Sequence, residues 1–256
     1  MNISYLGTCS GTEPFENMHH TSLVLTANGR NYWFDAGENS AHRAYTSGIN
    51  VLKTSAIFIS HPHIDHIDGL PHLLFSIDKV SRVKSIDVDR ISIFCSDKKV
   101  IEAAQYMCLK DSGDFRFSLE TKPLYDGIIF KDENVRVSAL HNRHIKYNSV
   151  SEAKSYSFLI ECEGKRIIYS GDVASPSELD ELVSGGCDLL IMETGHHKVA
   201  DVCEYCVSKG IKAMRLTHHG REIIYGREVC EAKVSEYNES LGTDIKICFD
   251  GMSEAL

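Results

Sequence analysis

The sequence contains no apolar run that approaches the length of a membrane span. Its first residues, Met1 to Tyr5, do not show the basic segment followed by an apolar segment that is typical of a signal peptide. We therefore expect a cytoplasmic protein with no membrane partner. At 256 residues, the chain can bury one sizeable core or two small ones. Its 25% charged and 43% hydrophobic residues are ordinary for a globular protein.

Positive charge is in the minority, because 27 Lys and Arg face 36 Asp and Glu, which gives a formal net charge of −9. Such a charge disfavours broad electrostatic attraction to nucleic acid. It remains compatible with a local basic patch, or with metal ions that supply positive charge where a phosphate binds.

The nine cysteines lack the secretory context of a disulfide framework. We expect reduced thiols, most of them buried. Cys203 and Cys206 form a C-x-x-C pair, but the pair lies on a predicted helix and has no second pair at zinc-finger spacing. The sequence therefore predicts neither a metal site nor a redox site there.

Three imidazoles and two carboxylates fall within one short stretch, His61-Pro-His63-Ile-Asp65-His66-Ile-Asp68-Gly69. The apolar run at residues 55–60, just before it, predicts a buried strand. The residues from Leu70 onward predict a helix, with Asp68 as its cap. The stretch is therefore expected in a loop between a strand end and a helix start, where layered α/β folds hold ligands and metals.

The spacing within this loop indicates how it could bind metal. His61 and His63 are two residues apart and project to the same side of an extended segment. Asp65 and His66 lie where the chain turns into the helix, so they can point to a second position. Neutral imidazoles and carboxylates are good ligands for zinc and similar divalent ions. One loop could therefore supply ligands to two metals.

The pattern H-x-H-x-D-H at such a loop resembles the signature of the metallo-β-lactamase superfamily, and the resemblance covers nearly the whole chain. It implies an α/β fold, the four-layer αββα sandwich, with two mixed β-sheets and helices outside. It also implies that residues 1–256 form a single hydrolase domain. The predicted order of elements fits, because strands dominate the first half and helices alternate with strands in the second.

Hydrophobic patterning predicts three consecutive strands in the middle of the chain, over Phe115–Leu119, Gly127–Phe130 and Val135–Leu140. Near the end of the chain it predicts a helix over residues 227–238 and a final strand over Ile245–Phe249.

The resemblance implies further ligands after three other strand ends. His144, in His141-Asn-Arg-His144, looks most like the third motif of the superfamily, with His141 as the alternative. Asp172, in Tyr-Ser-Gly-Asp172, looks like its bridging aspartate. His218, in L-T-H-H-G, matches its last ligand, whereas His219 is expected to stay out of the site.

The implied site holds two divalent ions, zinc in the first instance, with manganese or iron as alternatives. Asp172 lies between the ions, and Asp65 counts as catalytic as well as ligating. The expected ligands are His61, His63 and His144 for one ion, and Asp65, His66 and His218 for the other. Two such ions would supply a bridging hydroxide at pH 7 as the nucleophile.

Asp35, in Phe34-Asp35-Ala-Gly-Glu38, resembles another motif of the superfamily. The aspartate of that motif accepts a hydrogen bond from a liganding imidazole and fixes its tautomer.

Three features resemble the tRNA 3′-processing endoribonucleases (ribonuclease Z). These are the opening L-G-T-C-S-G-T-E-P at Leu6–Pro14, the W-F-D-A-G-E at Trp33–Glu38, and the position of His196. His196 lies 22 residues before His218, as does a histidine of those enzymes that binds no metal. By this resemblance His196 is catalytic and meets the phosphate or protonates the leaving oxygen.

Two features differ from ribonuclease Z. The stretch from His144 to Asp172 holds none of the Gly/Pro-rich basic arm that grips tRNA. The family's S-x-R-Y after the last ligand is replaced by His219-Gly-Arg221-Glu. The sequence thus predicts a metal-dependent hydrolase of phosphodiesters, acting on an RNA 3′ end or on a small cyclic phosphodiester. A lactone or thioester hydrolase and a non-hydrolytic metal-binding relative are the alternatives, and a homodimer is compatible with the sequence.

Overall fold

The computed structural model describes residues 1–109 and 113–256. The chain divides into two compact units, one of residues 1–124 with 250–256 and one of residues 125–249. Each unit is built on a seven-stranded mixed β-sheet, so the prediction of two mixed sheets with helices is confirmed. The prediction of a single domain stays a prediction. No helix within the described ranges has the length and hydropathy needed to cross a membrane.

The first unit contains the loop that is rich in histidine. Its strands, numbered in chain order, are β1 (Asn2–Gly7), β2 (Ser22–Ala27), β3 (Arg30–Ala36), β4 (Thr54–Phe58), β5 (Ile91–Phe94), β6 (Leu119–Lys122) and β14 (Ser253–Ala255). Its helices are α1 (Ser40–Thr46), α2 (Ile64–Ile67), α3 (Leu70–Lys84) and α4 (Lys98–Leu109). The strand order is β14-β1-β2-β3-β4-β5-β6, antiparallel from β14 to β3 and parallel from β3 to β6.

The core of this unit lies between one face of the sheet and its helices. Trp33 and Ile57 from the strands pack with Leu73 and Ile77 of α3, and all four are fully buried. The phenylalanines at the matching positions on the other face of β3, β4 and β5 stack in a row, with ring centroids 5.0 Å apart. This packing fixes the end of β4, from which the histidine loop leaves.

The second unit contains the other predicted ligands. Its strands are β7 (Gly127–Lys131), β8 (Val135–His141), β9 (Tyr156–Cys162), β10 (Lys165–Tyr169), β11 (Leu189–Thr194), β12 (Ala213–His219) and β13 (Asp244–Ile247). Its helices are α5 (Asp180–Ser184), α6 (Val199–Ser208) and α7 (Arg221–Leu241). The strand order is β13-β12-β11-β10-β9-β8-β7, and the strands from β10 to β13 run parallel.

Helices α5, α6 and α7 cover one face of this second sheet. Leu190 and Met192 of β11 pack there with Val202 of α6. Cys203 and Cys206 lie in the same core, and burial raises the pKa of each thiol to about 12. Thiols of this kind are unreactive.

Three predicted element boundaries are wrong. The strand predicted at Phe115–Leu119 is β6, which only begins at Leu119. Phe115 and Phe117 instead stack on each other with centroids 4.8 Å apart and pack into the core beside the helices. Helix α7 begins at Arg221 and continues through non-helical φ and ψ angles at Gly226. The last predicted strand ends at Ile247, and β14 was not predicted because three residues are too few to show a period.

The predicted cap of α3 is also wrong. Gly69 occupies the N-cap position, and no side chain bonds to the helix there. The Oδ2 atom of Asp68 instead lies 3.4 Å from Nδ1 of His20. Within the predicted loop, Asp65 and His66 form part of α2, a helix of one turn.

Candidate metal centre

In the first unit, four predicted ligands lie together after β4. Nε2 of His61 lies 2.9 Å from Nδ1 of His63. The rings of His61 and His66 have centroids 4.1 Å apart, and Nε2 of His66 is 3.4 Å from Oδ2 of Asp65. His61, Asp65 and His66 are buried, whereas His63 is exposed. The turn of α2 brings the last two donors back toward the first pair.

The carboxylate of Asp35 orients the imidazole of His66. Its Oδ2 atom accepts a hydrogen bond from Nδ1 of His66 at 2.7 Å. Ser60 donates its backbone N–H at 2.6 Å and its hydroxyl at 2.8 Å to the same carboxylate. Because Nδ1 then carries the proton, Nε2 keeps its lone pair for a cation. The resemblance implied this contact, and its role at a metal stays a prediction.

We expect Asp35→Asn to weaken metal binding. The amide that replaces the carboxylate can donate an N–H to Nδ1 of His66. Nδ1 would then act as the hydrogen-bond acceptor, and the ring proton would move to Nε2. Loss of such a partner costs about 10–100-fold in metal affinity. Asparagine tolerates the backbone here, where φ is +60°.

The measurement is competition for Zn²⁺ against a chromogenic chelator. Asp87→Asn is the matched control, because that side chain is 99% exposed. Equal zinc affinity in the two variants would contradict the role of Asp35.

In the second unit, Asp172 lies at the centre of the predicted ligands. It follows β10, and its side chain is only 3% exposed. Its Oδ1 atom lies 3.4 Å from Nε2 of His218, and its Oδ2 atom lies 3.6 Å from Nε2 of His144. His218 has a φ of +49°, in the left-handed region that only a few per cent of non-glycine residues adopt. The two oxygens of Asp172 thus face two different imidazoles.

The structure separates the two candidate histidines after β8. Nδ1 of His141 lies 2.7 Å from Oδ2 of Asp126, and the backbone N–H of His141 donates to Oδ1 of Asp126 at 2.8 Å. His141 therefore pairs with the start of β7, whereas His144 lies beside Asp172. This geometry agrees with the choice of His144, whose role as a ligand stays a prediction.

His196 lies in the loop between β11 and α6, beside Asp172. Its side chain is 43% exposed, and its Nδ1 atom is 3.1 Å from Oε1 of Glu193 and 3.8 Å from Oδ2 of Asp172. Its backbone N–H also donates to Oε2 of Glu193 at 2.9 Å. Glu193 thus orients the ring, with Nδ1 as donor.

Glu193 is a candidate site residue that the sequence analysis did not predict. Burial would raise the pKa of its carboxyl, but hydrogen bonds from His196 and His197 outweigh burial and lower the pKa to about 2. The sequence does carry a signal, because a glutamate ends the otherwise apolar run Leu-Leu-Ile-Met-Glu193. A buried charge of this kind needs partners, and the two histidines that follow it provide them.

The neighbouring histidines have other roles. His197 donates from Nε2 to the carbonyl of Val173 at 3.0 Å. His219 is fully buried, and Nε2 donates to the carbonyl of Cys248 at 2.9 Å. Burial lowers the pKa of His219 to about 4, so the ring is neutral. The expectation that His219 stays out of the metal site agrees with this packing.

The donor atoms in both units suit divalent cations. Asp172, His196 and His218 each offer one ligand atom, and the three atoms lie within 4.8 Å of one another. The 2.9 Å between the nitrogens of His61 and His63 is slightly less than the ~3.3 Å expected for two ligands of one tetrahedral zinc. The described residues therefore include His/Asp clusters able to bind metal. The assignment of seven residues to two ions stays a prediction.

Comparison with known families agrees with this donor set. A family model described as "Anti-Pycsar protein Apyc1" matches residues 1–222. The chain belongs to the Apyc1 family. As an Apyc1-family protein, it is a hydrolase of the metallo-β-lactamase superfamily and resembles the ribonuclease Z branch. The predicted superfamily and enzyme class are thus confirmed.

Individual relatives of this Apyc1-family chain include ribonucleases Z. That of Methanothermobacter thermautotrophicus is 25% identical over 274 residues, which cover 85% of this chain and 86% of that protein. That of Prochlorococcus marinus is 30% identical over 149 residues, so the chain matches 46% of that protein's length. The crystal structure of human tRNase Z, short form, has a TM-score of 0.74 at 20% identity and covers 100% of this chain and 99% of its own. This likeness confirms the predicted α/β fold.

Proposed function

We propose that the chain is a dinuclear metal-dependent phosphodiesterase. The ligands that the superfamily resemblance implies for the cations are His61, His63, Asp65, His66, His144, Asp172 and His218. When bound, the two cations would lower the pKa of a water molecule, so that hydroxide is available near neutral pH. Zinc is the expected metal, and manganese or iron accepts the same donors.

The observation that carries this proposal is the pairing of His196 with Glu193 beside Asp172. A sugar alkoxide leaves a phosphorus centre readily only when it receives a proton, and a positioned imidazolium can donate one. The thiolate of a thioester needs no such acid. The carboxylate of Glu193 holds the ring and stabilises its protonated form. This arrangement therefore favours esters with a poor leaving group over thioesters.

The substrate implied by the ribonuclease Z relatives is an RNA 3′ end. Arg143 and Lys146 are exposed and flank His144, and they form a local basic element. This element would help to bind the phosphate of a substrate. The guanidinium of Arg143 also lies over the ring of Tyr147, with 6.0 Å to its centroid. Arginine and an aromatic ring together are a common surface for a nucleotide.

A small cyclic phosphodiester is the second candidate, and one observation favours it. Between His144 and Asp172, all of which is described, the chain forms only a short 3₁₀ turn at Val150–Glu152 and the hairpin β9–β10. A basic arm for tRNA would have to emerge in this interval. Without it, the local basic element would contact one nucleotide rather than a folded RNA.

Metal content and a substrate panel test the proposal together. After reconstitution, elemental analysis should find two ions per chain, because seven donors are too many for one tetrahedral ion. The panel should contain bis(p-nitrophenyl) phosphate, pre-tRNA, 2′,3′- and 3′,5′-cyclic nucleotides, a lactone and a thioester. We expect kcat/KM to be highest for the phosphodiesters and to vanish in chelator-treated protein.

The same panel separates the two candidate substrates, since pre-tRNA and cyclic nucleotides are compared at equal enzyme concentration. One ion or none per chain, or turnover of the lactone or thioester alone, would contradict the proposed function.

A further inference from the structure

One carboxylate at the end of the chain collects four hydrogen-bond donors from the beginning of the chain. Oδ1 of Asp250 accepts the backbone N–H of Thr8 at 2.9 Å and its hydroxyl at 2.8 Å. Oδ2 accepts the backbone N–H of His19 at 2.7 Å and faces Nδ1 of His19 at 2.9 Å. The Asp250 side chain is only 4% exposed. Asp250 lies between β13 and β14 and outside the residues that match the Apyc1 family.

These contacts close the segment Thr8–His20, which we call the N-terminal loop. Its two ends also bond directly, since the N–H of Cys9 donates to the carbonyl of His19 at 2.9 Å. Nε2 of His19 lies 2.9 Å from the side-chain nitrogen of Asn39, so the tautomer that donates from Nδ1 to Asp250 can accept from Asn39. Asp250 therefore fixes both ends of the loop through one charged group.

The N-terminal loop lies against the metal-binding stretch. A methyl group added at Gly11 would lie 2.9 Å from both Cγ and Oδ2 of Asp65. A methyl group at Gly37 would meet the backbone oxygen of Asp65 on one side and Cβ of His20 at 2.8 Å on the other. His20 in turn reaches Asp68 at 3.4 Å. Gly11 of the loop therefore lies against the carboxylate of Asp65, and His20 lies beside Gly37, which in turn lies against the backbone of Asp65.

We propose that Asp250 is a positioning residue for metal binding. By clamping Thr8 and His19, it holds Gly11 against the Asp65 carboxylate and His20 beside Asp68 and Gly37, and so restricts the directions in which the Asp65 carboxylate can point. A ligand that is held in place loses less freedom when the ion binds, so its affinity is higher. This inference rests on the proposed metal site, and it extends that site to a residue at the opposite end of the sequence.

Three variants of the full chain test the role of Asp250. Asp250→Asn keeps the shape of the side chain but can no longer accept from both Thr8 and His19. Thr8→Val removes only the hydroxyl contact and is the milder variant if the first folds poorly. Glu254→Gln is the matched control, since it changes a carboxylate in the same short segment, where Oε1 still accepts from the hydroxyl of Tyr5 at 3.1 Å.

The primary measurement is Zn²⁺ affinity of the apo protein by chelator competition. We expect Asp250→Asn to lose about tenfold in affinity, at the lower end of the range for residues that orient ligands. Thr8→Val should lose less, and Glu254→Gln should match the wild type. The absorption bands of the Co²⁺-substituted protein should shift in Asp250→Asn, because coordination by Asp65 changes.

Urea unfolding of the apo proteins distinguishes positioning from stability alone. A purely structural Asp250 would lower the unfolding midpoint and leave zinc affinity and the Co²⁺ spectrum unchanged. That result would overturn the inference, as would equal zinc affinity in Asp250→Asn and Glu254→Gln. If the wild type itself binds no zinc, the proposed metal site is wrong. Normal wild-type binding with an unaffected Asp250→Asn would overturn only the role of Asp250.

Discussion

Asp172→Ala should lose at least about 10³-fold in kcat/KM and should hold no more than one metal ion per chain. Removing one preorganised charge-stabilising group already costs about 10²–10³-fold in rate, and Asp172 should serve both ions. In the structure its two oxygens face His218 at 3.4 Å and His144 at 3.6 Å. Its loss would therefore uncouple the two cations as well as remove a ligand.

His141→Ala is the matched comparison for this loss. His141 pairs with Asp126 at 2.7 Å, so its removal should leave metal content at two ions and change kcat/KM little. Elemental analysis and steady-state kinetics on the same preparations would measure both effects. Loss of metal in His141→Ala, together with normal metal content in His144→Ala, would show that His141 and not His144 is the ligand after β8.

His196→Ala should keep both metals and near-normal stability but lose about 10²–10⁴-fold in rate, the contribution of a positioned acid. The side chain is 43% exposed, so its removal opens no cavity in the core. The loss should be larger for an alkoxide leaving group than for nitrophenolate. An alkoxide must be protonated as it leaves, whereas nitrophenolate is stable without a proton.

The measurement is kcat/KM for a cyclic nucleotide and for bis(p-nitrophenyl) phosphate with each protein. His72→Ala serves as control, because His72 is an exposed histidine on α3. Equal losses on the two substrates would indicate that His196 only binds phosphate. No loss on either would mean that His196 is an ordinary loop histidine.

Local spacing was enough to predict one half of the candidate site. The stretch from His61 to His66 carries its donors within six positions, so their proximity depends on little beyond a strand end and one helical turn. Asp35 could be included because a motif around it resembles the superfamily. Its contact with His66 at 2.7 Å depends on β3 and β4 being neighbours in the sheet.

The other half depended on packing that spacing does not show. Glu193 is a candidate because its carboxylate is buried at the end of β11, where it accepts from His196 and from the backbone N–H of Val173. The sequence favours His144 over His141 only by its resemblance to a motif, and the structure adds that His141 pairs with Asp126 whereas His144 lies beside Asp172. Asp250 was missed for the same reason, since its four donors come from the far end of the chain. The misplaced strand at Phe115 shows that two aromatic residues can be buried without pairing in a sheet.

The first unit is interrupted in sequence, because residues 250–256 complete a sheet that begins at Asn2. During synthesis the ribosome produces the whole second unit before β14 and Asp250 emerge. Until then, β1 is an open edge strand, and the N-terminal loop lacks its clamp. Exposed edges of this kind invite pairing with other chains. We therefore expect the nascent chain to depend on chaperones until residues 250–256 have left the exit tunnel, and the metal-binding stretch to mature only after that.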